Sequence, residues 1–149
     1  MRRKRYFAIA AISLTVMMFT AGCSEDNGSL TYETDEGKQL TISSKTEVPE
    51  GFPSDIPLPA EIKITSSLKS EASGNITVAI ETEMPFEEAV KLYQGYADKA
   101  GYKESFKIEE AGFYSFSGST NNELFVFNLQ LDQENKKTVT GALVYEKKP

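Results

Sequence analysis

The sequence predicts an α+β fold: an antiparallel β-sheet of about five or six strands with one α-helix, residues 85–100, packed on one face. Three observations lead there. Short runs of alternating apolar and polar residues, bounded by Gly, Asn, Asp and Ser, recur along the chain. A single stretch carries apolar residues at spacings of three and four, the period of a helix. The turns between the runs are short, which implies antiparallel neighbours.

The chain begins with Arg2, Arg3, Lys4 and Arg5, followed by an apolar run from Phe7 to Phe19 with Ser13 and Thr15 as mild interruptions. A membrane-spanning helix needs about 20 apolar residues. This run is shorter and small residues follow it, which is the pattern of a cleaved export signal. The cations favour the cytoplasmic side and set the direction of insertion. The run ends on Thr20-Ala21-Gly22-Cys23. That stretch resembles the lipobox of bacterial lipoproteins, with Thr20 where the family usually carries Leu.

The resemblance implies cleavage between Gly22 and Cys23, removal of residues 1–22, and a diacylglyceryl thioether on Cys23. It implies a protein held by lipid at the extracytoplasmic face of the cell membrane. One acyl chain holds a protein only marginally, at about 0.8 kcal/mol per buried methylene, and two make the attachment stable. Cys23 is the only cysteine. A lone thiol in an exported protein is otherwise exposed to oxidation, and lipidation removes it from that chemistry. No internal disulfide can form, so packing alone must hold the domain together.

Ser24 to Ser29 is small, polar and acidic, and residues 23–29 read as a lipidated flexible tether. Residues 30–149 form one α+β domain. Leu30–Thr34 and Gln39–Ile42 alternate around Asp35-Glu36-Gly37-Lys38, a hairpin, although a peripheral arm would carry the same pattern. Residues 46–59 hold Pro49, Pro53, Pro57 and Pro59. Proline fixes φ and drives its predecessor to extended geometry. An ordered strap follows, pinned by Phe52, Ile56 and Leu58, and a Pro-rich recognition peptide is the other reading.

Ala60 to Glu83 reads as a second hairpin, with Ile62, Ile64 and Leu68 alternating on one arm, Ile76, Val78 and Ile80 on the other, and a turn at 70–75. Residues 85–100 are the helix. Pro85 suits its first position, Glu87 and Glu88 suit the positive end of the dipole, and Gly101 suits the C-cap. Phe86, Ala89, Val90, Tyr93, Ala97 and Ala100 form its apolar face. Tyr93 and Tyr96 read as core with hydroxyls at the rim, more readily than as a binding pair. Four more strand runs follow. Tyr102–Glu109 carries Tyr102, Phe106 and Ile108, and Gly112–Ser117 carries Phe113, Tyr114 and Phe116. Glu123–Leu131 puts Phe125, Phe127, Leu129 and Leu131 on one face, and Thr138–Glu146 does so with Val139, Leu143 and Tyr145.

Pro53-Ser54-Asp55-Ile56-Pro57, then Phe86–Tyr93, then Lys99-Ala100-Gly101-Tyr102 is similar to a module of small bacterial lipoproteins that open on P-x-D-I-P and end their helix on K-A-G before an aromatic residue. The similarity covers about residues 50–149. Its motifs are structural, so it implies the single-helix α+β fold and assigns no site.

Charge and composition exclude more than they assign. The formal charge is −6, and losing the four cations of residues 1–22 takes it to −10. Phosphate binding needs a cationic face, so nucleic acid is a poor partner. An acidic domain is also repelled by anionic lipid and stands off the membrane. There is no histidine, which removes Ser-His and Cys-His dyads and most zinc sites, and no tryptophan. No phosphate-cradling loop is present, because Phe113, Tyr114 and Phe116 between Gly112 and Gly118 read as strand. Glu81 and Glu83 share a strand face roughly 7 Å apart, a separation inverting glycosidases use. Acid–base work needs one of the pair desolvated, and nothing apolar flanks them in sequence. Asp132/Glu134 and Asp35/Glu36 lack the spaced-oxygen pattern of calcium loops. Asn75-Ile76-Thr77 matches a glycosylation sequon by chance.

The expectation is therefore a non-catalytic binding or interaction module of the cell envelope, with no cofactor and no metal. It is anchored to the membrane through Cys23 and takes a protein or envelope-polymer partner. The alternatives are a carboxylate-dependent hydrolase acting through Glu81 and Glu83, and an accessory subunit of a membrane complex.

Overall fold

A computed structural model describes residues 28–44 and 46–148. The predicted signal, the cleavage position and Cys23 lie outside the described residues. Among the described residues eight strands run as β1 Ser29–Glu33, β2 Gln39–Ser43, β3 Ile62–Ser70, β4 Asn75–Thr82, β5 Lys103–Glu110, β6 Phe113–Ser119, β7 Glu123–Leu131 and β8 Val139–Lys147. Among the described residues there is one helix, α1 (Phe86–Ala100), between β4 and β5. All eight strands join a single sheet in the order β1-β2-β3-β4-β8-β7-β6-β5, and every pairing is antiparallel.

The class and the single helix agree with the sequence reading; the expected five or six strands are corrected to eight. The first hairpin is not a loose arm. Ser43 of β2 pairs with Ser67 and Leu40 with Ser70, which adds two strands to the sheet. The sheet also starts one residue earlier than expected, at Ser29, with the Gly28 carbonyl accepting from the Ser44 amide at 2.9 Å.

Period-two alternation sets the buried face. On β4, Ile76, Val78, Ile80 and Thr82 are buried and the residues between them are half-exposed. Register carries that face across the sheet, opposing Ile76 to Tyr145 and Val78 to Leu143 on β8, and these to Phe125 and Phe127 on β7. Tyr114 and Phe116 of β6 continue it. The helix lies on β6 and β7 and buries Ala89, Tyr93 and Ala97 there. The strap covers the same face nearer β4: Phe52 and Ile56 are buried in the common core, and a Cβ on Gly51 would sit 3.3 Å from Ile76 Cδ1. Each fully buried Phe or Leu contributes about 1.5–3 kcal/mol.

Two bulges break the alternation. An extra residue at Thr65 shifts the register between Ile64 and Ser66, so Ser67 is buried and Leu68 turns to the opposite face. This corrects the reading that placed Ile62, Ile64 and Leu68 together. A second bulge, at Ser105, does the same to Phe106, which is 52% exposed and stands opposite Ser117.

The helix ends are set by local chemistry. Pro85 is the N-cap, one position before the first turn where the sequence suggested it, and its carbonyl accepts from the amides of Glu88 and Ala89. Gly101 takes φ +79° at the C-cap. Its amide donates to Asp98 and the Tyr102 amide donates to Ala97, the paired bonds of a Schellman motif. That turn delivers Tyr102 to the core.

Candidate functional site

Glu81 and Glu83 stand on either side of the buried Thr82. The Thr82 hydroxyl donates to the Glu61 carbonyl at 2.9 Å and accepts from the Met84 amide at 3.0 Å, which closes the end of β4. β4 stops at Thr82, so Glu83 leaves the ladder and the pair does not share a strand face as the sequence suggested. Both carboxylates nevertheless line one cleft of about 460 Å³, together with Glu61 and Glu88. Glu83 and Glu88 are exposed there, and Glu81 is half-exposed opposite Lys63 on β3.

The other carboxylates singled out in sequence act locally. Asp132 Oδ1 accepts from the amides of Glu134 and Asn135 at 2.8 and 2.9 Å, capping its own turn. Glu36 pairs with Lys38 at 3.3 Å across the exposed tip of the first hairpin. Among the described residues no cluster of three or more Asp, Glu, His or Cys side chains is placed to hold a metal ion. Tyr93 is wholly buried with its ring 5.6 Å from that of Phe127, in keeping with the core reading, but its hydroxyl is buried with it and does not reach the rim as the sequence suggested. Tyr96 is half-buried and donates to Asp55 of the strap at 3.4 Å.

The feature that sequence reasoning missed lies along β3. β2 pairs only with Ser67–Ser70, so β3 runs on from Ser66 to Ile62 with no neighbouring strand on that side among the described residues. Beside this stretch lies an apolar groove of about 680 Å³, walled by Val48, Leu58, Pro59, Ile62 and Ile64. Val48 is 50% exposed. At one end the groove shares Ala60 and Lys63 with the Glu61/Glu81/Glu83/Glu88 cleft. At the other it shares Val48 with a hollow of about 430 Å³ that carries Glu47, Glu50, Glu71 and Lys69. Adjoining through these residues, the three are taken together as a furrow, apolar in the middle and predominantly acidic, with Lys63 and Lys69, at its ends. Its only sequence signal was Val48 among the prolines, an apolar residue with no partner in the strap.

The strap that walls the groove is pinned at its middle. Tyr96 ties Asp55 to the helix, and its ring packs edge-on against Phe125, centroids 5.0 Å apart. Tyr102 packs against both rings and donates to Glu123 Oε2 at 3.0 Å, while Tyr145 donates to Glu123 Oε1 at 3.0 Å. Burial, and then the bond to Glu123, pushes the Tyr145 hydroxyl up to about 12. The same two causes push Tyr102 up still further. These hydroxyls stay protonated as donors, so Glu123 is the acceptor at the hub of a fixed cluster. No family model, curated protein or solved structure matches this chain.

Proposed function

We propose that the protein is a lipid-anchored module of the extracytoplasmic membrane face that binds a partner without transforming it. The furrow beside β3 carries the reading. It joins an apolar floor to two acidic ends, and a pinned strap walls it. A preformed surface of that kind suits recognition, because little ordering entropy is lost on binding. The lipobox-like Thr20-Ala21-Gly22-Cys23 supports the anchor, and the absence of histidine from the sequence argues against Ser-His and Cys-His dyads.

A photo-crosslinking residue at Val48 in intact cells tests it. The expected result is a discrete adduct with an envelope protein or polymer, missing when the same residue replaces Glu36 at the hairpin tip. Equal labelling from both positions, or none from Val48, contradicts the proposal. The hydrolase reading draws on Glu81 and Glu83 lining one cleft. It requires that the double variant Glu81→Gln, Glu83→Gln lose the cellular phenotype; retention of the phenotype supports the binding reading. An accessory subunit would need its tether, so Cys23→Ala would abolish the phenotype in that case.

A further inference from the structure

Resting on the binding reading, we propose that the partner presents an extended peptide segment that adds to β3 as a ninth strand, with basic residues at both ends and alternating apolar residues between. β3 extends five residues, Ile62–Ser66, beyond the last pairing with β2. At about 3.3 Å per residue this is roughly 16 Å of edge. The Ile62 amide already donates to the Pro59 carbonyl at 2.9 Å; the remaining outward backbone groups need a partner or water, and adding a strand to such an edge is a recurrent mode of peptide recognition. Proteins usually blunt edges with charge and bulges. The β5 edge has both, with Lys103, Glu104, Lys107, Glu109 and Glu110 and the bulge at Ser105. The free part of β3 carries a single charge, Lys63, and has its own bulge at Thr65, so what sets it apart from β5 is the apolar groove it borders.

Side-chain chemistry selects the occupant. Ile62 and Ile64, buried in the core, back the groove, and alternate residues of an added strand would lie beside them against Val48 and Leu58. The groove ends are acidic: Glu61, Glu81, Glu83 and Glu88 against Lys63 at one, Glu47, Glu50 and Glu71 against Lys69 at the other. Lysine or arginine flanking the apolar positions meets both ends. A second copy of this chain would bring another formal −10 once residues 1–22 are removed, and an anionic membrane surface is repelled likewise. A cationic segment is the occupant the charges favour.

The test uses the detergent-solubilised full-length protein and fluorescence anisotropy. The probe is a labelled nine-residue peptide, Val-Thr-Val-Thr-Val between two pairs of lysines. One control replaces the lysines by glutamates. The other methylates alternate backbone nitrogens and so removes the donors of a strand ladder. The expected result is saturable binding of the lysine peptide, at least ten-fold tighter than either control and weakening as salt rises. Val48→Asp, at a half-exposed position, should lower that affinity at least ten-fold with an unchanged circular dichroism spectrum. No saturable binding, or equal affinity for either control, overturns the proposal. A Val48 adduct in cells together with no peptide binding overturns the added strand while leaving the binding reading in place.

Discussion

Glu123 receives the hydroxyl of Tyr145 on Oε1 at 3.0 Å, joining the first residue of β7 to β8. Its Oε2 takes Tyr102 from the turn after the helix, so one half-buried carboxylate satisfies two hydroxyls. Replacing it removes the carboxylate that both hydroxyls donate to. Hydrogen bonds to a charged group are worth about 1.5–3 kcal/mol when buried, and partial exposure here reduces that. Glu123→Ala should lower stability by about 2 kcal/mol, read as a lower urea midpoint at unchanged m. Glu123→Gln, which keeps an acceptor, should cost less.

The tyrosines make the fold sensitive to base. Burial raises Tyr93, Tyr96, Tyr102, Tyr114 and Tyr145 above the ordinary value, and nearby Glu109, Glu104 and Asp98 add to the effect at Tyr114. In the unfolded chain these hydroxyls titrate near 10. A raised native value means that the folded state holds its protons more tightly. Their contribution to stability is therefore complete below about pH 10 and is lost as pH rises through the Tyr145 value of about 12. Thermal melts should be flat in this respect up to about pH 9.5 and fall steeply above pH 10, with tyrosinate absorbance appearing together with unfolding.

Tyr93 is the opposite case to Tyr145. Its hydroxyl is buried with no hydrogen-bond partner among the described residues. An unmet buried hydroxyl costs about 1–3 kcal/mol, so Tyr93→Phe should be neutral or raise the melting temperature. Tyr93→Ala, which empties the space against Phe127, should cost about 3–5 kcal/mol. A destabilised Phe variant would show that the hydroxyl is satisfied.

How much of this could be read in the sequence depends on the range of each interaction. Pro85, Glu87, Glu88 and Gly101 mark the helix because its ends are set by residues a few positions away. Phe52 and Ile56 of the strap are buried as their isolation among prolines suggested. The bulges at Thr65 and Ser105 were not legible, since each is a mismatch between two strands and neither strand records it alone. Leu68 and Phe106 were misplaced for that reason. The furrow was hidden likewise: it exists because β2 stops opposite Ser67 while β3 continues to Ile62.

Gly141 shows close packing that no motif announces. It faces the core between Ile80 and Leu129. A Cβ there would collide with the Asn128 carbonyl oxygen and come within 2.8 Å of Leu129 Cδ2. Overpacking costs about 1–3 kcal/mol, and backbone cannot give way as a side chain can. Gly141→Ala should lose about 3 kcal/mol, the top of that range, or fail to accumulate as folded protein. Gly95→Ala, where an added Cβ meets nothing within 4 Å, is the control and should be neutral or stabilising.

The proposed anchor at Cys23 decides which partners the furrow can meet. Intact-mass spectrometry of the protein extracted from membranes of the producing cell tests this most directly. The account predicts a single species that begins at Cys23 and carries the added mass of a diacylglyceryl group. A species with an unmodified Cys23 thiol, or one that retains residues 1–22, would contradict it.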